Sequence, residues 1–286
     1  MLGAQVCVAD LMKGVSDIGL KYSERNEKMI TSTSNPQVKR LLQLRKKSKE
    51  RNEEKVFVVE GLRMFAEVPR ERVEKVYISE SLYNKKKQEL NLQDLEHEIL
   101  SDSVFSHVSD TKTPQGILCV IKQKRYDLET LLHLKNPHFI VLDNLQDPGN
   151  LGTIVRTAEG AGVDAVFMSK DCVDIYNPKT IRSTMGSIYR MPHIYIEDTL
   201  LLLEEFRKKG VKSYAAHLHG ENSYEDENYT SGTAILIGNE GNGLREEVAN
   251  RADIWVRIPM CGQVESLNAA IAASVLMFEV AKQRRK

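Results

Sequence analysis

From His138 onward the chain alternates short apolar runs with helical segments, and that rhythm leaves few folds open to it. HFIVLDNL is followed by a helix from about Asn150, AVFMS by a helix after Pro178, and HIYI (His193–Ile196) by a helix from Asp198. KSYAAHL, TAILIG and DIWVRIP continue the series, with a short helix at Leu244 and a long terminal one from Ser266. Such alternation predicts an α/β unit with a mostly parallel sheet, covered on both faces, that binds ligands at the carboxyl ends of its strands. The terminal helix carries Ala269, Ala270, Ile271, Ala272, Ala273, Val275, Leu276, Met277, Phe278 and Val280, which leave it almost no polar face. It must be buried on several sides, one of which a partner subunit could supply.

The front half reads differently. After Ile30, capping residues lead into Val38, Leu41, Leu42 and Leu44 at helical spacing, then into a β-rich run from Val56 to Val59. Runs at Lys75–Ile78 and Ile117–Ile121 frame a helical stretch at Leu82–Leu90, giving a small α/β layer that ends near Lys124. The expected organisation is an extension over 1–28, a first domain over 29–124, a connection over 125–137 and a second domain over 138–286. Residues 1–28 are weakly patterned, and Met29 is a candidate functional start.

Composition narrows the function. Lysine plus arginine, 40, equals aspartate plus glutamate, 40, so any nucleic-acid contact must be a local patch. Cys7, Cys119, Cys172 and Cys261 form no CxxC pair, which argues against zinc and against a disulfide framework and fits a reducing cytoplasm. No run approaches the roughly 20 apolar residues of a membrane span, and Asp10 and Lys13 interrupt the apolar run that a signal peptide needs.

Three segments combine glycine with polar residues directly after a strand. In LDNLQDPGNLGTIVRT, Pro148 and Gly149 make a turn, Asn150 can cap the next helix, and Arg156 follows six residues on; a capped helix with a solvent-facing arginine is the bland reading. In IGNEGNGL, three glycines surround Glu240 with GxxGxG spacing, so the GxGxxG dinucleotide fingerprint fails, and a tight turn would explain the glycines equally well. In IPMCGQVESLNAA, a strand ends at Pro259, and Ser266 and Asn268 are expected in the first turn of the terminal helix, where free N–H groups gather. Ser266 could serve there as an N-cap alone.

Taken together, and with STMGSIYRMP at Ser183–Pro192 between them, these segments resemble the SpoU (TrmH) family of RNA ribose methyltransferases over roughly Phe139–Glu279. The resemblance implies a SPOUT-type parallel sheet with a C-terminal trefoil knot, S-adenosylmethionine as cofactor, no metal, and a homodimer packed through the terminal helix. TSTSNPQVKRLLQL with VFVVEG resembles the ribosomal-protein-like RNA-binding domains attached to this family, which makes structured RNA, ribosomal rather than transfer RNA, the expected partner. Lys39, Arg40, Lys46, Lys47 and Arg51, with Arg45 and Lys49, would then meet phosphates, although a charge run can equally be a solvated helix face.

By the same resemblance Asn150, Arg156, Glu240, Ser266 and Asn268 are the catalytic or substrate-positioning residues. Gly238, Ile258, Met260, Leu267 and Gly220 would surround the cofactor, and the loop ending at His217–Gly220 would form one wall. Arginine holds its proton too firmly to be a base at neutral pH, so Arg156 is better cast as a clamp on phosphate and alkoxide. Cys261 has no activating neighbour and is expected to be a packing residue, and His217 with His219 lacks a third metal ligand. Competing readings are a Rossmann-type methyltransferase or dehydrogenase, disfavoured by the absent GxGxxG, and a non-catalytic RNA-binding protein, disfavoured by the intact polar set. A transfer-RNA methyltransferase, or a drug-resistance methyltransferase acting on ribosomal RNA, shares every motif.

Overall fold

The structure is a computed structural model that describes residues 29–285; the extension over 1–28, including Met1–Glu27 and Cys7, lies outside the described residues. Asn35 caps helix α1 (Pro36–Lys46), its Oδ1 accepting the Gln37 N–H at 2.8 Å. Val38, Leu41 and Leu44 point inward at helical spacing. A second helix, α2 (Ser48–Glu54), ends where Lys55 turns left-handed into β1 (Val56–Glu60). There follow α3 (Leu62–Ala66), β2 (Val73–Ser79), α4 (Glu80–Lys86), β3 (His97–Leu100), α5 (Asp102–Val108) and β4 (Ile117–Lys122). These strands form a mixed sheet in the order β1-β4-β2-β3, with only β2 and β3 parallel.

Two features of this half differ from expectation. The helix anticipated at Leu82–Leu90 stops at Lys86, and β3 with α5 occupies part of the stretch between Leu90 and Ile117, to which the sequence pattern assigns no element. The connection over 125–137 also holds a helix, α6 (Leu128–Leu132), whose Leu131 and Leu132 are buried with Phe139, Phe167 and Phe206 of the second unit.

The second unit contains β5 (His138–Leu142), α7 (Pro148–Ala161), β6 (Ala165–Ser169), α8 (Pro178–Thr184), β7 (His193–Ile196), α9 (Thr199–Lys208) and β8 (Lys212–Ala216). It closes with β9 (Asn222–Ser223), β10 (Thr233–Ile237), α10 (Glu246–Arg251), β11 (Ile254–Arg257) and α11 (Ala269–Arg284). Its seven strands, in the order β7-β6-β5-β10-β8-β11-β9, pair in parallel throughout. Every residue of β5, β6 and β10 is buried, as strands covered on both faces must be.

Helix α11 returns from near the sheet's edge to pack on α7 and β10 near its middle, burying Ala270, Ala273, Leu276, Met277 and Val280. Its opposite side is bare: Ile271 is 51% and Phe278 45% exposed. The helix begins at Ala269, not at Ser266, because Asn268 is its cap, with Oδ1 accepting from Ala270 N–H at 2.9 Å and from Ile271 N–H at 3.3 Å.

The two units share one apolar core that runs from Phe57, Met64 and Ile78 into Ile140, Ile188 and Leu276. Phe57 stacks on Tyr176 with ring centroids 4.7 Å apart, and Tyr189 Oη donates to the Met64 carbonyl at 3.0 Å. Arg51 completes the joint. Its guanidinium is buried, donates to the Leu44 and Arg45 carbonyls, and forms an ion pair with Asp174. The expectation that Arg51 meets RNA is therefore corrected: its charge is consumed inside the protein. Arg40 is also committed, to Glu54 and Glu74, whereas Lys39, Lys46 and Lys47 stand in solvent. No helix among the described residues is long and apolar enough to cross a membrane.

Candidate active site

Three loops leave the carboxyl ends of β5, β10 and β11 and meet. The first starts with Asp143, whose fully buried carboxylate accepts from the backbone N–H of Arg245 at 3.0 Å and from its guanidinium, tying the first loop to the second. Asn144 turns left-handed (φ 56°), and its carbonyl accepts from Asn239 Nδ2 at 2.9 Å. Asp147, not Asn150, caps α7, accepting the Asn150 N–H at 2.8 Å, and Pro148 supplies the first helical position. An Asp before Pro is a start signal that sequence reading could have used. Asn150 is thereby freed to face the site.

The second loop doubles back on itself, with Asn239 and Gly243 exchanging backbone hydrogen bonds at 2.9 and 3.0 Å. Gly238 permits this approach, since a Cβ there would lie 2.0 Å from the Gly243 carbonyl carbon. Glu240 projects from this loop toward α7. It accepts from Asn150 Nδ2 at 3.0 Å, from Asp147 N–H at 2.9 Å and from Gln146 N–H at 3.1 Å. Burial opposes its ionisation, but these three donors outweigh that cost and hold the carboxyl below its ordinary range. Such a carboxylate is a firm acceptor and a weak base.

The third loop brings Asn268, whose Nδ2 donates to Asn150 Oδ1 at 3.0 Å. Asn268, Asn150 and Glu240 thus form one chain of hydrogen bonds, drawn from three motifs far apart in sequence. Behind it opens a cavity of about 700 Å³ walled by 216–219, 237–244, 256–260 and 265–267, with Ala269 and Ala272 at its base. Gly238, Ile258, Met260, Leu267, Glu240 and Ser266 line it. Gly220 does not: it lies behind the wall, where a Cβ would come within 2.8 Å of the Val256 backbone. Ser266 sits in the loop ahead of α11, exposed and without a hydrogen bond to another described residue.

Arg156 stands apart from the chain of hydrogen bonds. It lies further along α7, exposed, with no ion pair or hydrogen bond to any described residue. Its neighbour Thr157 accepts from Ser274 of α11 at 3.4 Å, which ties this part of α7 to α11. His217 lies on the cavity wall with its ring 4.1 Å from that of Trp255; burial, then the charge of His219, lowers its pKa. Among the described residues no cluster of His, Cys, Asp and Glu could hold a metal ion. Cys261 is exposed, and Cys119 and Cys172 are buried thiols.

Residues 137–278 match the model of the SpoU rRNA Methylase family, and residues 35–119 that of the MRM3-like substrate binding domain. A 23S rRNA (guanosine(2553)-2'-O)-methyltransferase from Bacillus subtilis is 32% identical over 88% of this chain and 99% of its own. An AdoMet-bound rRNA methyltransferase from Sinorhizobium meliloti superposes with a TM-score of 0.79 at 29% identity, covering 89% of this chain and 97% of that one. The SpoU methyltransferase AviRb from Streptomyces viridochromogenes, in complex with AdoMet, gives 0.78 at 25% identity over 88% and 99%.

Proposed function

We propose that this chain, which belongs to the SpoU rRNA methylase family, transfers a methyl group from S-adenosylmethionine to a ribose 2′-hydroxyl of large-subunit ribosomal RNA. The observation that carries this reading is the Asn268–Asn150–Glu240 chain of hydrogen bonds, whose Glu240 also lines the cavity formed by the loops after β8, β10 and β11.

The residues present suit the cofactor. The cavity falls within the roughly 300–1,000 Å³ range of small-molecule sites, and its wall mixes backbone N–H and C=O groups at Gly238 and Ile258 with the side chains of Met260 and Leu267. Leu218 and Val264, 59% and 62% exposed, stand near it without cover. Bound there, S-adenosylmethionine would supply an electrophilic methyl group. The protein's own task is to present a ribose oxygen to it and to accommodate the departing proton.

Asn150 and Asn268 offer amide groups fixed by their mutual bond, and Glu240 fixes Asn150 from the other side. Arg156, unpaired and permanently charged, is the group suited to hold a phosphate and stabilise an alkoxide. Ser266, with no hydrogen-bond partner among the described residues, has a hydroxyl free for substrate or cofactor.

The proposal extends to assembly. The bare Ile271 and Phe278 face of α11 is the surface through which two copies would pair, setting Arg156 beside the partner. The return of the chain from β11 to α11, which packs on α7 and β10, is where the trefoil knot would close. A cytoplasmic setting accords with the three unpaired thiols among the described residues.

The test is transfer of labelled methyl from S-adenosylmethionine to ribosomal and to transfer RNA from cells lacking the gene, followed by mapping of 2′-O-methyl positions. One labelled ribose in large-subunit RNA is expected. Label in transfer RNA alone would overturn the substrate, and label in neither, from a chain that binds cofactor, would overturn the reaction.

A further inference from the structure

A second cavity, of about 620 Å³, opens between the two units on the far side of the loop that follows β6. From the front unit come Ser48, Asn52 and Gln123; from the chain joining the units come Lys124, Arg125 and Tyr126; from the back unit come Lys170 and Tyr195. We infer that this cleft is a second RNA subsite, which takes a single-stranded nucleotide flanking the methylated ribose. The inference rests on the methyltransferase reading above.

Charge is the first argument. Asp174 is the only carboxylate lining the cleft, and Arg51 neutralises it. Lys124 and Arg125 are exposed and make no ion pair with any described residue, while Lys170 has only Glu197, at 3.8 Å, outside the lining. Around the α1–α2 corner, beside Ser48 at the rim, exposed Lys46 adds a further cation, while the equally exposed Lys47 and Lys49 face Glu50 at 3.6 Å and Glu53 at 3.8 Å. A concave, net-positive surface with no free anion of its own suits a polyanion.

Aromatic chemistry is the second. Lys124 Nζ lies 4.9 Å from the centre of the Tyr126 ring, which meets His193 edge-on at 5.3 Å. Tyr195 is held by its hydroxyl, which donates to the Val173 carbonyl at 2.8 Å and accepts from Ile175 N–H at 2.8 Å, and the residue as a whole is 39% exposed. Rings fixed beside cations are what single-stranded bases and their phosphates use. Tyr126 Oη is buried with no hydrogen-bond partner among the described residues, a donor that a base or a ribose oxygen would satisfy.

Continuity with the reaction site is the third. Gln146 donates its backbone N–H to Glu240 at 3.1 Å and its Nε2 to the Asp171 carbonyl at 2.7 Å. Residues 170–174 therefore have the reaction site on one side and the cleft on the other, so a strand leaving the first reaches the second across one loop.

The test uses the full chain and transcribed large-subunit ribosomal RNA as the probe, with affinity measured by filter binding across a salt series. Arg125→Glu combined with Lys170→Glu should weaken RNA binding at least tenfold and flatten its salt dependence by about two phosphate contacts, roughly 0.7 each in log–log slope for a single strand. S-adenosylmethionine affinity and melting temperature should match the parent, and KM for RNA should rise while kcat holds. Tyr126→Phe, which keeps the ring, should cost a few-fold in affinity with the salt slope unchanged. Unchanged affinity and slope in the charge-reversed variant would overturn the subsite. A parent chain that binds RNA through the cleft yet methylates none would overturn the reaction while leaving the subsite standing.

Discussion

Asn150 and Asn268, 118 positions apart in the chain, meet amide to amide: Asn268 Nδ2 donates to Asn150 Oδ1 at 3.0 Å. The amide nitrogen of Asn150 is in turn spent on Glu240. Replacing Asn150 by Asp sets a second carboxylate against Glu240 and removes that donor. Methyl transfer by Asn150→Asp should fall by at least tenfold, with a melting temperature within a few degrees of the parent because the pair is partly solvated. Parallel rate and melting measurements decide it; full activity would remove Asn150 from the machinery.

Arg156 is exposed and makes no hydrogen bond or ion pair with any described residue. Arg156→Ala should change stability by less than about 0.5 kcal/mol, as exposed substitutions do, and should leave S-adenosylmethionine affinity intact while lowering kcat by about a hundredfold or more. Calorimetric cofactor titration beside single-turnover rates makes the separation. Loss of cofactor binding would place Arg156 in the cavity instead.

Arg51 is the opposite case. Arg51→Ala leaves the Asp174 carboxylate at the joint without its cation, at a cost of about 3–5 kcal/mol for a buried pair broken on one side. Chemical denaturation should register that loss; S-adenosylmethionine affinity per folded molecule should stay within twofold of the parent, whereas the uncompensated Asp174 in the cleft lining should weaken RNA binding.

Gly238→Ala would press a methyl group against the Gly243–Leu244 backbone, with contacts of 2.0 and 2.1 Å that no side-chain shift can relieve. The loop must open, costing roughly 1–3 kcal/mol, and cofactor affinity should collapse. Gly262→Ala is the control, since nothing lies within 4 Å of the added carbon.

Two buried histidines make the fold acid-sensitive. Burial, opposed by a bond to the Met191 carbonyl, pushes His193 down to about 4, and burial beside Arg284 pushes His138 down to about 3. Both are neutral in the fold, so their contribution to stability is complete above the ordinary histidine value of 6.5 and is lost as pH falls from there toward the folded values. Stability should decline between pH 6.5 and 4 by up to about 1.4 kcal/mol per pH unit for each proton taken up. His193→Gln should flatten part of that slope in pH-resolved denaturation curves, and an unaltered slope would remove His193 from the account.

The strands of the second unit were legible because β5, β6 and β10 are apolar on both faces, a pattern with one structural meaning. The polar site residues were found as motifs, but their geometry was not. Local sequence placed Asn150 as a cap because turn chemistry at Pro148–Gly149 fits either residue, and only the folded loop assigns the cap to Asp147. Asp143 with Arg245 went unnoticed, since nothing local marks a carboxylate whose partner arrives 102 residues later. Arg51 misled for the converse reason: a cation within a basic run looks solvated until the domain that buries it is in place.

The shared core that joins the two sheets through Phe57 and Tyr176 leaves no hinge between them. The chain is therefore a caliper with its jaws fixed. On the proposed reading, the span from the exposed lysines of α1 to the Asn150 amide would be set by packing before any RNA arrives, and a strand would be selected first by whether its own folded shape fits that opening. Recognition on such terms would be lost as readily by loosening the joint as by altering either jaw.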